Sequence, residues 1–68
     1  MVEMLRTNDP VLLSYAAALL SDLKVESVVL DGHTSVIEGS IGALPRRLMV
    51  RDEDANLARQ RLRDASVL

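Results

Sequence analysis

The order of apolar and polar residues divides the chain into alternating short segments. Residues 2–7, Val2-Glu3-Met4-Leu5-Arg6-Thr7, alternate with a period of two and predict a strand, with Val2 and Met4 on one face and Glu3 and Leu5 on the other. Asp9-Pro10 follows. An aspartate accepts bonds from the free N–H groups that open a helix, and proline fits the first turn, where no N–H is needed. From Pro10 to about Leu23, the residues Leu12, Leu13, Ala16, Leu19, Leu20 and Leu23 fall on one helical face, with Lys24 at its C-terminal end, where a cation suits the helix dipole. Residues 25–31 are rich in β-branched side chains and predict a second strand. Residues 46–51 predict a third, with Leu48 and Val50 facing one way and Arg47, Met49 and Arg51 the other. Asp52 is expected to cap a second helix, with Glu53 and Asp54 in its first turn and Ala55, Ala58, Leu62 and Ala65 as its inner stripe. Ser66-Val67-Leu68 is either a frayed end or a short fourth strand.

The order is thus β-α-β-β-α(-β), the split-βαβ pattern of a ferredoxin-like α+β domain, with an antiparallel sheet and both helices packed on one face. One domain covers residues 1–68. Leu12, Ala16, Leu19, Leu20, Leu30, Leu48, Val50, Ala58 and Leu62 are expected among its most buried residues. Between the second and third strands lies a connection of 14 residues, 32–45, holding all three glycines. So long a loop in so small a domain is a place to look for function. Packing of Val36, Ile37, Ile41 and Leu44 onto the domain is expected to order it in part, since four solvated aliphatics would leave an exposed patch.

Composition narrows the classes. The 68 residues include no Cys, Trp or Phe and a single Tyr, and 12 Leu, 8 Val and 7 Ala must build most of the core. The lack of cysteine excludes disulfide staples, thiolate metal sites and cysteine nucleophiles. No apolar run reaches the ~20 residues of a membrane span, and Glu3 and Arg6 break up any signal-peptide reading, so a cytoplasmic protein is expected. A core this small supplies about 3–5 kcal/mol, and self-association is one way to supplement it. With few residues left for a fourth strand, dimerisation through the uncovered first-strand edge is the expected form.

Thr7-Asn8-Asp9-Pro10, Asp31-Gly32-His33, the run from Gly39 to Val50 and Asp52-Glu53-Asp54-Ala55 together resemble a small bacterial family of unknown function labelled putative prokaryotic signal-transducing protein. Its fold is grouped with the PII (GlnB-like) proteins. The resemblance covers nearly the whole chain. It implies a regulatory module that binds a protein partner through the loop between strands two and three, as PII proteins do. The nucleotide-site residues of PII proteins find no counterpart here, so no binding residue is carried over and no cofactor is expected.

The chemistry-bearing residues gather in and beside that loop: His33, Ser35, Glu38, Gly39, Ser40, Gly42, Arg46 and Arg47 are the candidate contacts to a partner or ligand. Gly39-Ser40-Ile41-Gly42 has the spacing of an RNA-clamping GxxG, but that motif joins two helices and this one leads into a strand. Backbone amides around Ser40, with Arg46 and Arg47, could instead nest an anion, which makes a small-ligand sensor the alternative to an interaction module. Asp31, His33 and Glu38 do not have the spacing of a metal site. His33 and Ser35 lack a third orienting group, so no catalytic set is assigned and an enzyme is not expected. Asp52-Glu53-Asp54 fits a helix N-terminus on dipole grounds alone. Arg59 and Arg63 share a helix face, yet a pI near 5.1 and the absence of stacking aromatics argue against nucleic acid.

Overall fold

The computed structural model describes residues 1–30 and 45–68. Its elements are β1 (Val2–Thr7), α1 (Pro10–Asp22), β2 (Ser27–Leu30), β3 (Arg46–Val50) and α2 (Ala55–Asp64), with a 3₁₀ turn at Asp52–Asp54 before α2. The start of α1 is the one its sequence dictates. Asp9 Oδ1 accepts from the N–H groups of Val11 at 2.9 Å and Leu12 at 3.3 Å, and the Asp9 N–H donates to Thr7 Oγ1 at 3.0 Å. Both helices end in the same way. The residue after each C-cap, Lys24 or Ser66, takes a left-handed φ of 63° or 62°. Lys24 N–H then donates to Ser21 O and Val25 N–H to Leu20 O; Ser66 N–H donates to Arg63 O and Val67 N–H to Leu62 O. This is the Schellman pairing, which satisfies the last carbonyls and turns an apolar residue back onto the helix.

The sheet order is β1-β3-β2, and β3 pairs antiparallel with both neighbours. β1 and β2 therefore run parallel to each other at the two edges, each joined to the core through β3. Leu48 and Val50 on one face of β3 join Leu13, Ala16, Leu19 and Leu20 of α1 and Ala55, Ala58 and Leu62 of α2 in one hydrophobic cluster with Met4 and Val25. Both helices thus cover the same sheet face. Ala16 and Ala58 are wholly buried, and side chains so small let the helices approach each other and the sheet closely. The arrangement is a small α+β unit compatible with a ferredoxin-like fold.

Several expectations from the sequence are corrected. β1 does not alternate regularly: its register with β3 shifts between Glu3 and Leu5, so Met4 is the extra residue of a bulge. Val2, Met4 and Leu5 all pack toward the helices, whereas Glu3 and Arg6 share the opposite face. Asp52 does not cap α2. The 3₁₀ turn uses backbone bonds, Asp54 N–H to Arg51 O and Ala55 N–H to Asp52 O, so no side-chain cap is made. The acids are engaged elsewhere: Asp52 with the Met1 amine at 3.2 Å, Asp54 with Arg51 Nε at 3.2 Å. The Asp54 carboxylate, followed by the charges of Asp54 and Glu53, raises the pKa of Arg51.

The second strand is shorter than expected, because Val25 is still part of the α1 cap. Leu12 is half-buried at the flank of α1, where Leu13, Ala16, Leu19 and Leu20 take the inner face. Leu30 is 38% exposed. It pairs with Arg47 on the sheet face that carries no helix, so no layer covers it. Ser66-Val67-Leu68 forms no fourth strand; Val67 folds back onto the core through the α2 cap. The expected anchors Val36, Ile37, Ile41 and Leu44 lie outside the described residues.

Candidate functional site

His33, Ser35, Glu38, Gly39, Ser40 and Gly42 also lie outside the described residues; Arg46 and Arg47, at the start of β3, lie within them. Consecutive strand residues face opposite ways. Arg46 shares the helix-side parity of Leu48 and Val50, and Arg47 shares the open-side parity of Met49. The two arginines are therefore divided by the sheet and do not converge on one point.

On the helix side, Arg46 lines a cleft of about 460 Å³ with Pro10, Leu13, Ser14, Ala17 and Val29. The cleft forms where the first half of α1 passes over the β2 side of the sheet. Among the described residues, its wall is aliphatic except for Ser14 and Arg46. It lies beside the N-terminus of α1, yet the Asp9 carboxylate already accepts from the first free N–H groups there. An anion in the cleft would meet that negative charge, and among the described residues Ser14 and Arg46 are the polar part of the lining.

On the open side, Glu3, Arg6 and Arg47 make a charged cluster. The Arg6 guanidinium donates to both Glu3 carboxylate oxygens, at 2.9 and 3.3 Å. These bonds, with the charges of Arg6 and then Arg47, hold the Glu3 carboxyl below its ordinary range. Glu3 in turn raises the pKa of Arg6. Arg6 stands directly opposite Arg47 in the register, an arrangement of like charges that Glu3 offsets.

The feature the sequence reading missed is β2 itself. Val28 and Val29 are each 42% exposed and Leu30 is 38% exposed, although they face both sides of the sheet. The signal was present: Ser27-Val28-Val29-Leu30 has no polar alternation, so whichever way it faces, aliphatic side chains meet solvent unless both faces are covered. These residues are the last described ones before residue 31. Among the described residues no cluster of His, Cys, Asp and Glu is arranged to hold a metal ion, and no helix is long and apolar enough to cross a membrane.

The described residues form a small α+β unit, a three-stranded antiparallel sheet with two helices on one face. The chain belongs to the family described as putative prokaryotic signal transducing protein, whose pattern it matches over residues 1–66. The comparison with curated proteins gave no match.

Proposed function

We propose that this protein is a non-catalytic, cytoplasmic regulatory module that passes on a signal by binding a protein partner, with the segment between β2 and β3 as its recognition element and the aliphatic strand β2 as the adjoining contact. The supporting observation is the exposure of Val28, Val29 and Leu30 together, where that segment begins. Exposed aliphatics side by side, as Val28 and Leu30 are on the open face of β2, mark an interaction surface. His33, Ser35, Glu38 and Ser40, with Arg47 beside them in sequence, would supply polar specificity to contacts whose affinity comes from the aliphatics. The test is affinity capture from the source cell with the full chain and with Val28→Lys and Leu30→Lys variants, scored by mass spectrometry. A partner retained by the natural chain and lost from both folded variants supports the reading. An identical set of captured proteins overturns it.

A second reading rests on the cleft. Its aliphatic wall, with Ser14 and Arg46 at the rim, suits a small amphipathic anion, and Arg46 would act there without Arg47. Short-chain carboxylates and inorganic phosphate are the probes. A ligand at 100 times its Kd should stabilise the fold by about 2.7 kcal/mol, readily seen by thermal shift. No shift with any of them removes this reading and leaves the first intact.

A further inference from the structure

We propose that β1 is a self-complementary edge and that the chain forms a twofold dimer by antiparallel β1–β1 pairing, with Glu3 opposite Arg6 of the partner subunit and Arg6 opposite the partner subunit's Glu3. This surface lies at the far side of the sheet from β2 and does not depend on the partner-binding role assigned there.

The outer side of β1 has no strand against it among the described residues, because β1 is terminal in the order β1-β3-β2. The residues after α2 do not fill the place: Ser66, Val67 and Leu68 donate their N–H groups back to carbonyls of α2. An uncovered edge offers a row of free N–H and C=O groups, which another strand can satisfy.

The charges of β1 choose which strand. Residues that face each other in an antiparallel pair lie on the same face of the sheet. In a regular strand Glu3 and Arg6, three positions apart, would lie on opposite faces and could never oppose each other across a twofold axis. The bulge at Met4 changes this. It brings Glu3 and Arg6 to one face, as their 2.9 Å ion pair records. Two copies of β1 related by a twofold axis can then match throughout. Glu3 meets the partner's Arg6, Val2 meets the partner's Thr7, and Met4 meets the partner's Leu5. The bulged pair Met4-Leu5 of one strand stands across from the same pair of the other, each Met4 facing the partner's Leu5, so the two irregularities accommodate each other instead of breaking the ladder.

Burial agrees with this pairing. Val2 and Leu5 are only half-covered by the helices, although they face the core side. A second copy would extend that apolar row past the edge. On the open face the two ion pairs would merge into a ring of four alternating charges, with Arg47 of each chain beside it. A bulge and charged side chains are common guards against indiscriminate pairing. Here their arrangement rejects strands of other sequence and admits its own.

The experiment is sedimentation equilibrium of the full chain and three sets of variants, from about 10 μM to about 1 mM. The natural chain is expected to dimerise. Glu3→Arg alone gives only positive charges at both contacts and Arg6→Glu alone only negative ones, so each is expected to associate at least roughly tenfold more weakly. Glu3→Arg with Arg6→Glu in one chain restores the dimer, and an equimolar mixture of the two single variants forms a heterodimer. Should either single variant fail to fold by circular dichroism, amide exchange of residues 2–7 in the natural chain at low and high concentration decides, with slowing at high concentration expected. A monomeric natural chain, single variants that associate like it, folded single variants that do not pair when mixed, or exchange at β1 that ignores concentration would each overturn the proposal.

Discussion

The two edges of this sheet handle the same hazard in different ways. β1 is six residues long, irregular, and carries a charged residue on each side of its bulge. β2 is four residues long, regular, and carries no charge at all, with Val28, Val29 and Leu30 open to solvent. An unguarded aliphatic strand invites any apolar surface, and shortness is its main protection. A charged, bulged strand is closed to most partners and open to one whose charges match. Under the two proposals the edges have different tasks. Selectivity at β1 would reside in the strand, whereas at β2 it would come from the polar residues that follow in sequence, since the strand itself offers only apolar area.

Both edges hang on β3, so the largest effect comes from breaking it. Leu48 is fully buried in the core that β3 shares with the two helices and pairs with Leu5 of β1 and Val29 of β2. Leu48→Ala removes buried methyl groups and leaves a cavity, at a cost of about 2–5 kcal/mol. A core of this size supplies only about 3–5 kcal/mol in total. The variant is expected to be largely unfolded at 25 °C by circular dichroism, with self-association and partner capture lost together. A folded Leu48→Ala protein that kept one edge interaction and lost the other would show that the edges are less tied to β3 than the register implies.

Much of this was legible in the sequence, and the parts that were not share a cause. The capped entry to α1, the inner faces of both helices and the Leu48–Val50 side of β3 follow from local periodicity and from Asp9-Pro10. What escaped depends on pairing between distant segments. The bulge at Met4 exists only in relation to β3, so the parity of Glu3 and Arg6 could not be read from alternation. Leu30 looked like core because it is aliphatic, and its exposure follows from lying on a sheet face without helices. Asp52 looked like a helix cap, but the backbone closes the turn by itself and the carboxylate pairs with the Met1 amine. Of the candidate site, only Arg46 and Arg47 lie among the described residues, and the pleat of β3 separates them.

A smaller effect tests whether the chain end leaves β1 free. Ser66 holds a left-handed φ that costs a non-glycine residue energy. Ser66→Gly relieves it and should stabilise the fold by about 0.5–1 kcal/mol, a rise in Tm of roughly 2–8 °C for a domain of this size. Because the cap keeps Ser66–Leu68 on α2, self-association should not change. A weaker dimer in this variant would mean that the tail contributes to the β1 contact.

On the β2 side, Val28→Lys and Leu30→Lys are expected to change stability by no more than about 0.5 kcal/mol, since both side chains are exposed. Denaturant melts measure this. The variants should remain folded and dimeric while losing partner capture, which separates the two edges directly. A loss of stability of about 2 kcal/mol or more would instead show that β2 is part of the core in solution.

The smallest expected effect is a pH dependence confined to β1. Glu3 is held below the ordinary carboxylate range by its bonds to Arg6 and by the charges of Arg6 and Arg47. The sign follows from linkage. A carboxylate whose pKa is depressed by its partners contributes its full stabilisation above its ordinary pKa and loses it as the pH falls through the lowered one. The charge ring between two β1 strands depends on that same ionised group, so dimerisation should be constant near neutrality and weaken as acid takes the pH down through the lowered pKa of Glu3, below the ordinary glutamate range. Glu3→Gln should remove this dependence, because the glutamine has no proton to gain, and should weaken association at neutral pH less than Glu3→Arg does. Added salt should act in the same direction as acid, since the cluster is solvent-exposed and screened. β2 has no ionisable group between Ser27 and Leu30, so partner capture through that edge should be insensitive to salt wherever its apolar contacts dominate. Sedimentation across pH 3–7, with the fold monitored by circular dichroism, checks the prediction. Dimerisation of the natural chain that ignores both acid and salt while the fold persists would show that β1 pairs without its charges.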